Sequence, residues 1–168
     1  MTPKANLATT AALEHFTATL ADVILSSEQA REMIGAPEIV DVFVWHALEE
    51  SEHKAVAFDV YRHVGGSERT RRRMMNYTCV TFLGGMALQV AGAMLGDRET
   101  YRRGAVRASI GRLRQNPLFT KKVWRQLRDY NRHGFHPDDH DTTELLDAWR
   151  ERLFGDDGTL NDRLLATA

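Results

Sequence analysis

One stretch of the chain, from Glu38 to Val64, contains no helix breaker and repeats its apolar positions at helical spacing. At about 100° per residue, Ile39, Val42, His46, Glu49, Glu50, His53, Val56, Ala57 and Val60 fall within roughly 60° of one line. This stripe reads apolar, then ionisable, then apolar, and the pattern predicts that it is the buried face. Burying carboxylates and imidazoles there costs several kcal/mol per unpaired charge, so the layer needs a compensating partner, and a metal ion is the simplest one.

The same periodicity predicts an all-α chain. A first helix is expected over Ala8–Ser27, after a loop or frayed end at 1–7. Leu13, Phe16, Leu20, Val23 and Ile24 form its apolar stripe, and Glu14 lies on a neighbouring face among Thr10, Ala11, Ala18 and Ala21. The bland alternative makes Glu14 a solvated residue and His15 its exposed neighbour. A polar link, 28–35, leads to Pro37, a good first helical residue, and a second helix should run to the glycine pair Gly65-Gly66.

A third helix is expected from about Ser67. It opens on Arg69, Arg71, Arg72 and Arg73 and then stays uncharged from Met74 to Leu95, long enough to span a bilayer. Asn76, Thr78, Thr81, Gln89 and three glycines dilute that run, which favours a buried core helix or a membrane-facing amphipathic one. Asp97 or its neighbour should cap a fourth helix through Arg114. A further helix follows over Leu118–Tyr130, with Phe119, Val123, Trp124 and Leu127 on its apolar side. Asp141 with Glu144 resembles a capping box for a helix holding Leu145, Leu146, Trp149 and Leu153, and 155–168 reads as a turn and a weak terminal helix. With no strand-length alternation and no repeat, the expectation is one helical domain, 1–168, in which 1–66 carry the site and 67–168 are the basic and C-terminal helices.

Composition changes this picture in one respect. The net charge of -1 hides 16 of the 22 Lys and Arg between Arg62 and Arg132, against four acids there, so the middle carries +12 and the remainder -13. Such a surface suits nucleic acid, anionic lipid or a phosphate-bearing substrate, or it pairs with the acidic remainder. Nothing matches a zinc ribbon or a helix-turn-helix, so no specific nucleic-acid partner is expected. The lone Cys79 cannot form an internal disulfide, and no basic-plus-apolar signal precedes the first helix. The expected setting is cytoplasmic, with membrane association left open.

Glu50-Ser51-Glu52-His53 is a Glu-x-x-His pair, whose two ends lie about 60° apart and can bind one cation together. Dinuclear carboxylate bundles use this pair from two helices and a lone glutamate from two others, and Glu14 suits the lone position. His46 with Glu50, and Glu49 with His53, are i,i+4 pairs that would orient the ligands. Glu52, near Asp41 and Asp59, falls on the wet side. The loop His136-Pro137-Asp138-Asp139-His140-Asp141 has a metal-like composition but reads better as turn and cap chemistry.

Three segments carry a resemblance: Ala-Leu-Glu-His-Phe-Thr-Ala at 12–18, Trp-His-Ala-Leu-Glu-Glu-Ser-Glu-His-Lys-Ala-Val-Ala-Phe-Asp-Val-Tyr at 45–61, and Gly-Phe-His-Pro at 134–137. Together they resemble the bacterial family of predicted metal-dependent hydrolases, itself similar to ferritin-like bundles. The resemblance implies a partial ferritin-like architecture with additional C-terminal helices, and a dinuclear centre with Glu14, Glu50 and His53 as ligands. Family members carry an upstream region supplying another glutamate and a second Glu-x-x-His, whereas here Met1 falls just before the Glu14 helix. The expectation is therefore a truncated or shortened member, or a half-site completed by a second copy in a homodimer.

The expected function is that of a metal-dependent hydrolase acting on a small molecule. The carboxylate-rich donor set suits iron or manganese, with zinc as a further option. The alternatives are a di-iron oxidoreductase, or a non-catalytic truncated helical module that binds anionic lipid or a partner through its basic segment.

Overall fold

The computed structural model describes residues 2–161, and no strand occurs among them. The helices are α1 (Pro3–Ser26), α2 (Glu28–Ile34), α3 (Pro37–His53), α4 (Val56–His63), α5 (Glu68–Gly96), α6 (Ala105–Gln115), α7 (Lys121–Asp129) and α8 (Thr143–Phe154). Short 3-10 turns lie at Arg98–Tyr101, Pro117–Phe119 and Pro137–Asp139. The all-α expectation holds.

α1 is the axis of the bundle, packing on α3, α4, α5 and α7. It starts at Pro3, earlier than the expected Ala8, because Thr2 accepts the Ala5 N–H and Pro3 occupies a first-turn position that needs no donor. Ala8, Ala11 and Ala12 are wholly buried, which lets neighbouring helices approach closely. One core cluster joins Phe16 and Val23 of α1 to Phe58, Met75, Val123, Leu127, Tyr130 and Phe135. A second joins Ala21 and Leu25 to Val44, Leu48, Leu146, Trp149 and Leu153, with the Trp149 indole donating to the Leu25 carbonyl at 3.0 Å.

The expected link at 28–35 is mostly helical: Ser27 caps α2 by accepting the Ala30 N–H, and Gly35, at φ +97°, ends it. The expected continuous helix from Pro37 to Val64 is instead broken at Lys54 and Ala55. There the Lys54 ammonium donates to the His140 carbonyl at 2.7 Å. The Ala57 N–H, which a continuous helix would direct to the His53 carbonyl, goes to the Glu14 carboxylate. The glycine pair does end α4: Gly65 has φ +75°, and the Gly66 N–H returns to the Tyr61 carbonyl at 2.9 Å.

The ionisable stripe faces the core only in part: Ala57 is buried and Glu49 and Glu50 are half-buried, while His46 and His53 are exposed. α3 buries Val44, Ala47, Leu48 and Ser51, and it leaves Ile39, Val42, Val56 and Val60 outward, on α3 and α4. Small Ala47 and Ser51 allow the close approach to α1 that the bulkier stripe would prevent.

α5 corrects a second expectation. Arg71, Met75 and Thr78 are buried, but beyond Phe82 the helix leaves the bundle, and Val80, Leu88 and Leu95 are each exposed by more than 70% (72%, 76% and 73%). The run 74–95 is therefore not a buried core helix. By length and composition α5 could cross a membrane, and none of its most apolar window is buried. At its base the fully buried Arg71 donates to Glu68 at 2.7 Å, to the Arg132 carbonyl at 2.8 Å and to the Tyr130 carbonyl, and its guanidinium lies 4.8 Å from the Tyr130 ring centre. Burial pushes the Glu68 carboxyl up, but Arg71, Arg62 and Arg72 outweigh it and hold the group below its usual range.

Distal boundaries also shift. Asp97 caps the turn Arg98–Tyr101, and the expected fourth helix begins only at Ala105, after Gly104 at φ +86°. The helix expected from Leu118 starts at Lys121, capped by Thr120, and it buries Val123 and Leu127 while Trp124 is 40% exposed. α8 starts after Thr142, one residue later than the expected box, and Thr142 makes no side-chain cap bond; instead Asp141 accepts the Thr143 N–H at 2.9 Å. The expected terminal helix falls mainly at 162–168, outside the described residues.

Candidate metal centre

α1 and α3 run antiparallel along one seam, so that Glu14 faces Ala57 and Thr17 faces Glu50. Glu14 Oε2 accepts the Ala57 N–H at 3.0 Å, and Thr17 Oγ1 donates to Glu50 Oε2 at 2.6 Å. The Glu14 carboxyl titrates above its ordinary value. Burial is the main cause; the Ala57 N–H opposes it, nearby Glu50 adds to it and nearby His53 opposes it. Glu14, Glu50 and His53 thus share one electrostatic neighbourhood, although 36 or more residues separate Glu14 from the other two in sequence.

His46 Nε2 lies 3.5 Å from Glu50 Oε1, the i,i+4 contact expected of it, with its ring 61% exposed. Glu49 is half-buried and His53 is exposed at the last turn of α3. Glu52 points to the wet side, paired with Arg150 at 2.8 Å.

A metal ion needs several donors converging on one point. Among the described residues no group of three His, Cys, Asp or Glu side chains is arranged to hold one. Glu14 is turned to a backbone N–H, and Glu50 to a hydroxyl and an imidazole. Within one chain these residues do not make a closed ligand shell, and no reaction step through a metal follows from them.

Sequence reasoning missed three features. Thr17 holds Glu50. His15 is buried, not the exposed neighbour of Glu14: its Nε2 lies 3.0 Å from the Gln126 carbonyl, and its ring packs on Tyr130 and Phe135. The signal was present, because Ala8, Ala11, Ala12, His15, Thr19 and Asp22 follow helical spacing on one face, the face that is buried. Burial lowers the His15 pKa to about 4, aided by His140 and Arg71 and opposed by the Gln126 carbonyl and Asp129. Beside it, Asp22, Ser51, Lys54 and His140 help line a small open pocket of about 30 Å³, room for about one water. The third feature is the Arg71 hub. The 136–141 loop does cap chemistry as expected: His136 and Asp139 form a capping box, and His136 also contacts Asp59 at 2.8 Å.

Residues 1–141, from α1 to the loop before α8, match the family described as predicted metal-dependent hydrolase. The chain belongs to this family. The family implies a divalent metal. No curated protein and no solved structure matches the chain.

Proposed function

We propose that this family member is a hydrolase whose dinuclear metal centre is assembled from two copies of the chain. Each copy contributes Glu14, Glu50 and His53 as ligands, held in place by His46 and Glu49. The observation that carries this reading is the partly outward stripe. Glu50 and His53 sit between exposed Ile39 (49%) and Val42 (59%) on one side and exposed Val56 (55%) and Val60 (47%) on the other. An apolar collar around an ionisable layer is a surface that gains by being covered, and covering it desolvates carboxylates that then need a cation. Two-fold pairing would bring together two lone glutamates and two Glu-x-x-His pairs, the donor set of a ferritin-like dinuclear bundle. The oxygen-rich set favours iron or manganese over zinc.

Size-exclusion chromatography with light scattering, combined with iron, manganese and zinc quantification, tests the proposal. The expected result is a dimer carrying metal, and loss of that metal in Glu50→Ala and His53→Ala. A monomer free of metal, or unchanged metal content in both variants, would overturn it. With the metal bound, cleavage of an ester or phosphoester without oxygen uptake supports the hydrolase; oxygen consumption on adding ferrous iron would reassign the centre as a di-iron oxidoreductase.

A further inference from the structure

Acidic segments do not neutralise the basic middle of the chain throughout. Arg62, Arg71 and Arg72 pair with Glu68, Lys122 with Asp22, and Arg132 with Asp139. Between the end of α5 and the start of α7 the only such pair among the described residues is Arg102 with Glu99, and Arg107, Arg112 and Arg114 of α6 make no ion pair there.

α6 is amphipathic in a particular way. Val106, Ile110 and Leu113 follow i, i+4, i+7 spacing on one face and are each about half exposed (45%, 49% and 50%). Arg107 and Arg114 flank this face on one side and Arg112 on the other. Arg102, Arg107 and Arg114 also line an open cleft together with Val106 and Ile110. Anion-binding guanidinium groups and unpartnered apolar side chains therefore share one surface. Beyond it, the far half of α5 adds Met86 and Val90 on one side of the helix and Leu88 and Leu95 on the other, all exposed.

We propose that α6 and the far half of α5 form a membrane-binding surface that lies in the interface of an anionic bilayer without crossing it. Basic residues beside an apolar helical face match lipid phosphates above an acyl boundary. The docked base of α5 argues against a crossing. The Phe82 ring lies 4.6 Å from that of Phe16, so α5 stays docked to the bundle that far. The 14 residues from Leu83 to Gly96 extend about 21 Å, less than the roughly 30 Å of a hydrocarbon core. A crossing would also carry Arg98, Arg102 and Arg103 through the apolar layer.

The full chain should co-sediment with vesicles of phosphatidylcholine and phosphatidylglycerol in equal parts but not with phosphatidylcholine alone, and the binding should weaken as salt rises. Arg107→Gln with Arg114→Gln should lower partitioning roughly thirtyfold, and Ile110→Asp should abolish it. These side chains are exposed, so circular dichroism should stay helical, and metal content should be unaffected because α6 packs mainly on the 3-10 turns that flank it rather than on α1 or α3. Equal binding to both vesicle types, wild-type binding by the arginine variant, or retention in the membrane after alkaline extraction would each overturn the proposal. So would an absence of vesicle binding together with a dimer-to-monomer change in Ile110→Asp, which would make this face a contact between copies.

Discussion

Glu14 Oε2 accepts the Ala57 N–H across the seam, so a carboxylate on α1 caps the start of α4. Ala55, the residue at the cap position, has no side chain to do so. Glu14→Ala should cost about 1 kcal/mol of folding stability by orphaning that N–H, and Glu14→Gln, which keeps an acceptor oxygen, should cost less. Urea unfolding of both variants checks the order; a neutral alanine variant would show that the cap is dispensable.

Thr17 donates to Glu50 at 2.6 Å, and its effect should appear in metal binding more than in folding. Thr17→Val removes the hydroxyl at similar volume. Stability should change by no more than about 1 kcal/mol, whereas metal affinity of the assembled protein should fall roughly tenfold. Metal titration beside a thermal melt separates the two effects, and equal affinity in the variant would remove Thr17 from the site.

Arg71 is fully buried, with two backbone carbonyls and Glu68 as acceptors. Arg71→Leu leaves those acceptors without their donor and should destabilise the chain by about 3 kcal/mol or more. Arg71→Lys should recover only part of this, since an ammonium cannot reproduce the planar fork. Denaturant midpoints of the two variants decide it.

His15 predicts a pH dependence. Its pKa is lowered from 6.5 to about 4, so between those values the unfolded chain takes up a proton that the folded chain refuses. Stability should therefore fall as pH drops from about 6.5 to about 4, by on the order of 3 kcal/mol, with no further His15 contribution below that. His15→Gln should flatten this segment of the stability profile. An unchanged slope would assign the acid sensitivity to another group.

Much of the fold was legible because local chemistry dictated it. The glycine pair after α4, Ser67 before α5 and the His136 loop each end or begin an element through contacts within a few residues. The break after His53 was not legible, because its causes, Glu14 and His140, are distant in sequence. The far half of α5 misled for a similar reason: a buried helix and an unpartnered apolar helix have the same composition, and only packing separates them.

From the residues alone came an all-helical chain, a Glu-x-x-His on α3 with Glu14 on the preceding α1, and a basic middle, since periodicity, spacing and charge are properties of the chain itself. The tertiary structure decided which faces meet. It turned Ala47 and Ser51 toward α1 and left the ionisable stripe at the edge of that seam, with its apolar ends Ile39, Val42, Val56 and Val60 outward, because close helix packing selects small residues. It brought Glu14, Glu50 and His53 into one neighbourhood without closing a ligand shell. A face with no partner inside the chain cannot be told from a buried one by its pattern, because burial depends on what stands opposite.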